Sequence, residues 1–181
     1  MSRSRKVALA ALFGSVVFIS KVVLPSPFDK VLIVVQAMFL GLGAVMLGPL
    51  GATLVALIGG LLTAGWRAPL AIYTVSFAII YGLLVDSFCS VLRVRRKEGE
   101  VNRIRLIAAV TVSTALVGMA SYYVTVLMFQ LIPRNIVFEI GILIAGILSG
   151  LAGGYLAALI WQKSVRHLVT SPSAHRLPRP E

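Results

Sequence analysis

RVRRKEGEVNRIR, residues 93–105, packs six basic and two acidic residues into thirteen positions of a chain that is otherwise almost free of charge. The runs on either side, 69–92 and 106–132, are built from Leu, Ile, Val, Ala, Phe and Tyr, with Asp86 their only charged residue. A helix rises about 1.5 Å per residue, so about 20 apolar residues cross a hydrocarbon layer of about 30 Å. Both runs meet that length, and the stretch between them is too charged to lie in lipid. It reads as a loop in water joining two membrane spans.

The same division extends along the chain. Hydrophobic residues make up 59% and charged residues 13% of the sequence, and the mean hydropathy is +0.97. A soluble domain needs more polar surface than that to cover its core. Spans are expected at 7–24, 31–48, 50–65, 69–92, 104–132 and 136–162. Pro25 and Pro27 end the first, Gly48-Pro49 separates the second from the third, and Gly65 to Pro69 separates the third from the fourth. Pro133 breaks the fifth from the sixth. The expected architecture is an all-α membrane protein, a compact bundle of six transmembrane helices. The domain covers 1–165, and 166–181, with three prolines and few apolar residues, is expected to be a disordered tail.

With six spans both termini share a side. Placing them in the cytoplasm puts 13 of the 17 basic residues there, leaving Lys21, Lys30, Arg67 and Arg134 outside. That asymmetry is the one that orients membrane proteins, and it indicates a multi-pass protein of the cell (plasma) membrane. It also accounts for the formal charge of +11, so no nucleic-acid partner is expected. MSRSRK before an apolar run resembles a signal peptide, but no A-x-A-like site follows and cleavage is not expected.

Small residues recur every fourth position. Ala52, Ala56, Gly60 and Ala64 form a stripe in the third span, and Gly146, Gly150, Gly154 and Ala158 one in the sixth, with Ala145, Ser149, Gly153 and Ala157 beside it. In lipid, where burying Leu gains nothing, such stripes let helix backbones approach. The first span carries a shorter face, Ala10 and Gly14 with Ala11 and Ser15, which is a candidate docking surface for a partner protein.

Polar groups gather on the expected outer half: Trp66, Tyr73, Tyr122, Tyr123, Gln130, Arg134, Asn135 and Glu139. Trp66 and Tyr73 also suit an interfacial aromatic belt, and Arg134 an external loop. Glu139 lies inside a span, where a carboxylate facing lipid costs about 2–3 kcal/mol. It is expected to face the bundle interior and to pair with Arg134 or with a ligand. Asp86, seven residues before Arg93, is expected to be an interfacial acid beside it.

Catalytic apparatus is missing from the pattern. There is no G-x-x-x-x-G-K-[ST], H-E-x-x-H or G-x-S-x-G, and Cys89 is the single cysteine. Both histidines, His167 and His175, fall in the tail. No enzyme activity, cofactor or metal is expected.

SRKVALAALFGSVVFISKVVLP (4–25) and LGLGAVMLGPLGATLVALIGGLL (40–62), with its L-G-P-x-G-A break, resemble the substrate-binding S components of energy-coupling factor (ECF) vitamin transporters. The resemblance covers about residues 5–165. It implies a vitamin-like ligand held near the outer face. It also implies docking of the first span onto a transmembrane T component driven by two ATPase subunits. In many members the docking face is A-x-x-x-A; here Ala10-x-x-x-Gly14 and Ala11-x-x-x-Ser15 stand in that place.

These observations lead to an expected capture subunit. Tyr122, Tyr123, Tyr73 and Trp66 would stack on a ring or cation, and Gln130, Asn135, Glu139 and Arg134 would meet its polar edge. One carboxylate among aromatics leans toward a cationic heterocycle such as thiamine, with biotin and riboflavin open. Two other readings stay open: a self-sufficient secondary transporter or channel, and a non-transporting membrane assembly protein.

Overall fold

A computed structural model describes residues 3–23, 32–66, 68–95, 100–127 and 134–165. Six helices run through them: α1 (Arg3–Val22), α2 (Ile33–Met46), α3 (Gly51–Trp66), α4 (Ala71–Val91), α5 (Arg103–Leu127) and α6 (Ile136–Ile160). A 3-10 turn, Ala68–Leu70, leads into α4, and a π-helical turn, Trp161–Val165, follows α6. Among the described residues no strand forms beyond one isolated bridge, Arg95 to Val101, within the charged loop.

Helices α2 to α6 close a ring, each packed on the next and α6 returning to α2, while α1 lies outside on α2 and α3. Three helices are long and apolar enough to cross a membrane: α4 with its leading turn (Ala68–Val91), α5, and α6 extended to Lys163. α2 and α3 are apolar and short: α2 falls short of the expected 31–48, while α3 has the length expected for 50–65, shifted by one residue. Their 14 and 16 residues amount to about 21 and 24 Å. A tight turn separates them: Gly48 and Leu50 have φ of 108° and 64°, and Gly51 N–H donates to the Gly48 carbonyl at 3.0 Å. α1 keeps Arg3, Arg5, Lys6 and Lys21 within its 20 residues. The expected end of the fifth span and all of 166–181 lie outside the described residues.

Packing follows the small-residue stripes in steps of four. A Cβ on Gly146, Gly150 or Gly154 would sit 3.1, 2.6 and 2.9 Å from the Cα atoms of Ala115, Thr111 and Ile107 on antiparallel α5. One face over, a Cβ on Gly153 would sit 2.6 Å from the Ala37 Cβ of α2. α3 and α4 repeat the pattern: Gly60 meets Ala78, and Gly82 meets Thr53 and Ala56. Such contacts replace the hydrophobic drive that lipid removes. Between α4 and α5, hydroxyl pairs add to them. Tyr81, which is buried, bonds Thr114 Oγ1 at 2.6 Å. Thr114 itself donates to the Val110 carbonyl, so the Tyr81 hydroxyl is the donor of the pair.

The outward faces are apolar. Ile136, Val137, Phe138, Ile140, Ile144 and Leu148 along α6 are all more than half exposed. In water such a surface drives aggregation; in lipid it is solvated.

Candidate functional site

The helices alternate in direction, which gathers the termini of α1, α4, α5 and α6 that border charged segments at one end. At that basic end Arg103 stacks over the Tyr155 ring, 4.4 Å from its centroid. Those residues singled out as outer that the structure describes lie at the opposite end, where α4 begins, α5 finishes and α6 begins.

There a chain of contacts links three helices. Tyr73 of α4 hydrogen-bonds Ser121 Oγ at 2.7 Å and its carbonyl at 3.2 Å, and its ring lies against Phe77. The next residue, Tyr122, is buried and meets Asn135: the Asn135 N–H donates to its hydroxyl at 3.3 Å. Tyr123 stands edge-on to Tyr122, with centroids 5.6 Å apart. Asn135 caps α6, its side-chain oxygen accepting from Val137 N–H at 2.9 Å, as expected of Asn with extended φ and ψ at such a position.

Glu139 follows one turn later and pairs with Arg134, Nε to Oε1 at 2.9 Å. The carboxylate side chain is 14% exposed and the guanidinium 70%. The hydrogen bond to Glu139, then its charge, raises the Arg134 pKa above the ordinary value. Arg134 is one of the two partners expected for Glu139. Trp66, at the end of α3, is 67% exposed, and Gln130 lies outside the described residues. The arrangement thus brings Tyr73, Tyr122, Tyr123, Asn135, Arg134 and Glu139 together around the α5–α6 end.

The docking face of α1 divides in two. Ala10 is 2% exposed and Gly14 is buried, and a Cβ on Gly14 would lie 2.7 Å from Ile58 of α3. Those two residues pack α1 onto its own bundle. Ala11 is exposed and Ser15 partly so, which leaves that pair open to a partner.

Asp86 has a role that its sequence neighbours did not indicate. It does not serve Arg93; it crosses to α3. Its Oδ1 accepts from Ala52 N–H at 3.1 Å, and its Oδ2 from Thr53 N–H at 2.8 Å and the Thr53 hydroxyl at 2.7 Å. A carboxylate here satisfies the unpaired N–H groups of a helix start and the positive end of its dipole. The other side of the same turn is treated in the opposite sense. Arg95 donates to the carbonyls of Ala44 and of Val45, the latter at 2.6 Å, where α2 ends and cations are favoured. Desolvation at this site lowers the Arg95 pKa, while nearby Cys89 and Asp86 raise it; the guanidinium stays charged. The signal for Asp86 was present as Ala78-x-x-x-Gly82-x-x-x-Asp86, a continuation of the face that packs on α3.

A cleft of about 690 Å3 opens beside this turn, lined by Asp86, Ser87, Cys89, Arg93 and Arg95 among others. None of the outer residues lines it. No protein-family model, no curated protein and no solved structure matches the chain.

Proposed function

We propose that the chain is the membrane-embedded substrate-capture subunit of an ECF-type importer, with six spans and both termini in the cytoplasm. In this proposal it takes a small vitamin-like compound from the outer side and delivers it to a T component driven by two ATPase subunits. The observation that carries the reading is the convergence of Tyr73, Tyr122, Tyr123, Asn135 and Glu139, from three helices, at the end opposite the Lys- and Arg-rich one. An apolar wall with a few placed polar groups is what a small-molecule site needs.

Two aromatic rings at an edge-on angle offer π faces, and a mostly buried carboxylate offers a counter-charge for a cationic ring. A ligand cation would exchange with Arg134 for Glu139. Trp66 fits an aromatic belt better than a binding wall. The charge asymmetry along the chain supports the orientation, and Ala11 with Ser15 is the part of the α1 face left for the T component.

The test is equilibrium binding of thiamine, biotin and riboflavin to the purified protein in detergent. Nanomolar to micromolar affinity for one of them, weakened at least about tenfold by Glu139→Gln or Tyr123→Ala, supports capture; tenfold is about 1.4 kcal/mol. Uptake by this chain alone in liposomes, driven by an ion gradient without ATPase subunits, refutes it.

A further inference from the structure

The cleft at the basic end is unused by the capture reading, and its lining is of mixed character. Arg93 and Arg95 face it, and among the described residues Asp86 is the one acid in its lining. That acid is already engaged, both oxygens bonded to the start of α3. Among the described residues no carboxylate forms an ion pair with Arg93, Arg95 or Lys6. Lys6 joins the arginines: a Cβ on Gly48 would sit 3.8 Å from both Lys6 Nζ and Arg95 Nη1. The two cations are therefore no more than twice that distance apart. Like charges so placed repel, and an anion between them relieves the repulsion.

The other wall is apolar. Leu50, Leu83 and Val91 line the cleft and are 55%, 42% and 76% exposed. Leu83 and Val91 are eight residues apart on α4, about 12 Å of helix. An occupant that suits both walls has an anionic head and an apolar body at least that long.

Arg93 itself sits in an unusual place. Its N–H donates to the Ser90 carbonyl and that of Val94 to Cys89, which is the hydrogen-bond pattern of a helix end closed by a left-handed residue, usually Gly. Here φ is 48° at an arginine. The backbone would be easier with glycine, so the side chain is the reason to look for a ligand.

From the cleft, its three neighbouring basic side chains and the apolar wall we infer an anionic phospholipid site: the phosphate sits between Arg93, Arg95 and Lys6, and an acyl chain lies along α4 from Val91 to Leu83. Basic pockets between helices at a membrane surface bind lipid headgroups by this chemistry. The inference stands on the membrane reading alone and is independent of any outer ligand.

The experiment titrates phosphatidylglycerol or phosphatidylcholine of matched chains into the purified full chain in a neutral detergent and counts bound lipid by native mass spectrometry. Phosphatidylglycerol is expected to bind better, and Arg93→Gly or Lys6→Gln to reduce that preference by about fivefold each, as for one basic residue at an anionic surface. Arg93→Gly should melt no lower than the parent, which separates loss of lipid from loss of fold. Lys163→Gln, a basic residue outside the cleft, should leave the preference unchanged. Equal binding of the two lipids overturns the inference. So does an equal loss with Lys163→Gln, which would mark a general charge effect. Displacement by glycerol 1-phosphate at the lipid's own concentration would make the cleft a soluble-phosphate site and also overturn it.

Discussion

Asp86 and Thr53 are joined twice, through the Thr53 N–H at 2.8 Å and its hydroxyl at 2.7 Å. A residue near the end of α4 thereby acts as the N-cap of α3, a role that normally falls to a residue of the same helix. Replacing a cap by alanine costs about 0.5–2 kcal/mol. Asp86→Ala should lower stability within that range, and Asp86→Asn by less, because Asn keeps one accepting oxygen but loses the charge. Thr53→Val, which removes the hydroxyl alone, should cost the least. Thermal unfolding in detergent orders the three; an unchanged midpoint for Asp86→Ala would refute the cap.

Gly150 and Gly141 lie on the same helix and should respond to alanine in opposite ways. A Cβ on Gly150 would be 2.6 Å from the Thr111 Cα, while one on Gly141 meets nothing within 4 Å. Forcing backbones apart costs about 1–3 kcal/mol, whereas Ala in an open helical position gains up to about 1 kcal/mol over Gly. Gly150→Ala should lower the unfolding midpoint and Gly141→Ala hold or raise it.

The Arg134–Glu139 pair should contribute little to folding. Arg134 is 70% exposed on its side chain, and exposed ion pairs add little to stability because water and salt screen them. A double-mutant cycle with Arg134→Gln and Glu139→Gln should give a small coupling that falls as salt is raised. A large coupling that salt does not reduce would mean that the pair holds the start of α6 and is not available for exchange with a ligand.

Much of this architecture can be read from residue order alone, and the exceptions share a cause. The step of four in Gly146, Gly150 and Gly154 identifies a packing face because only small residues admit a neighbouring backbone. It does not say which helix arrives. For that reason Ala10 and Gly14 read as an external surface, when both are buried and Ile58 and Gly59 of α3 lie against Gly14. Glu139 illustrates the same limit from the polar side. Its position inside an apolar run requires a partner, and Arg134 was within reach on the adjoining turn. Asp86 also required one, but the nearest cation in sequence was not the nearest donor in space. Backbone N–H groups at a helix start, which every sequence supplies and none displays, took it instead.

The shortness of α3 carries a consequence for the surrounding membrane. At 16 residues it covers about 24 Å, yet Leu54, Leu61 and Leu62 are exposed on its outward side. A bilayer spanned by α4, α5 and α6 is about 30 Å thick in its hydrocarbon, so its lipids meet a deficit of roughly 6 Å along one flank only. Hydrophobic mismatch of that kind costs fractions of a kcal/mol per Å and is relieved by local thinning or tilt. The protein would therefore deform its bilayer unevenly, pinching it beside α3 and leaving it undisturbed beside α6.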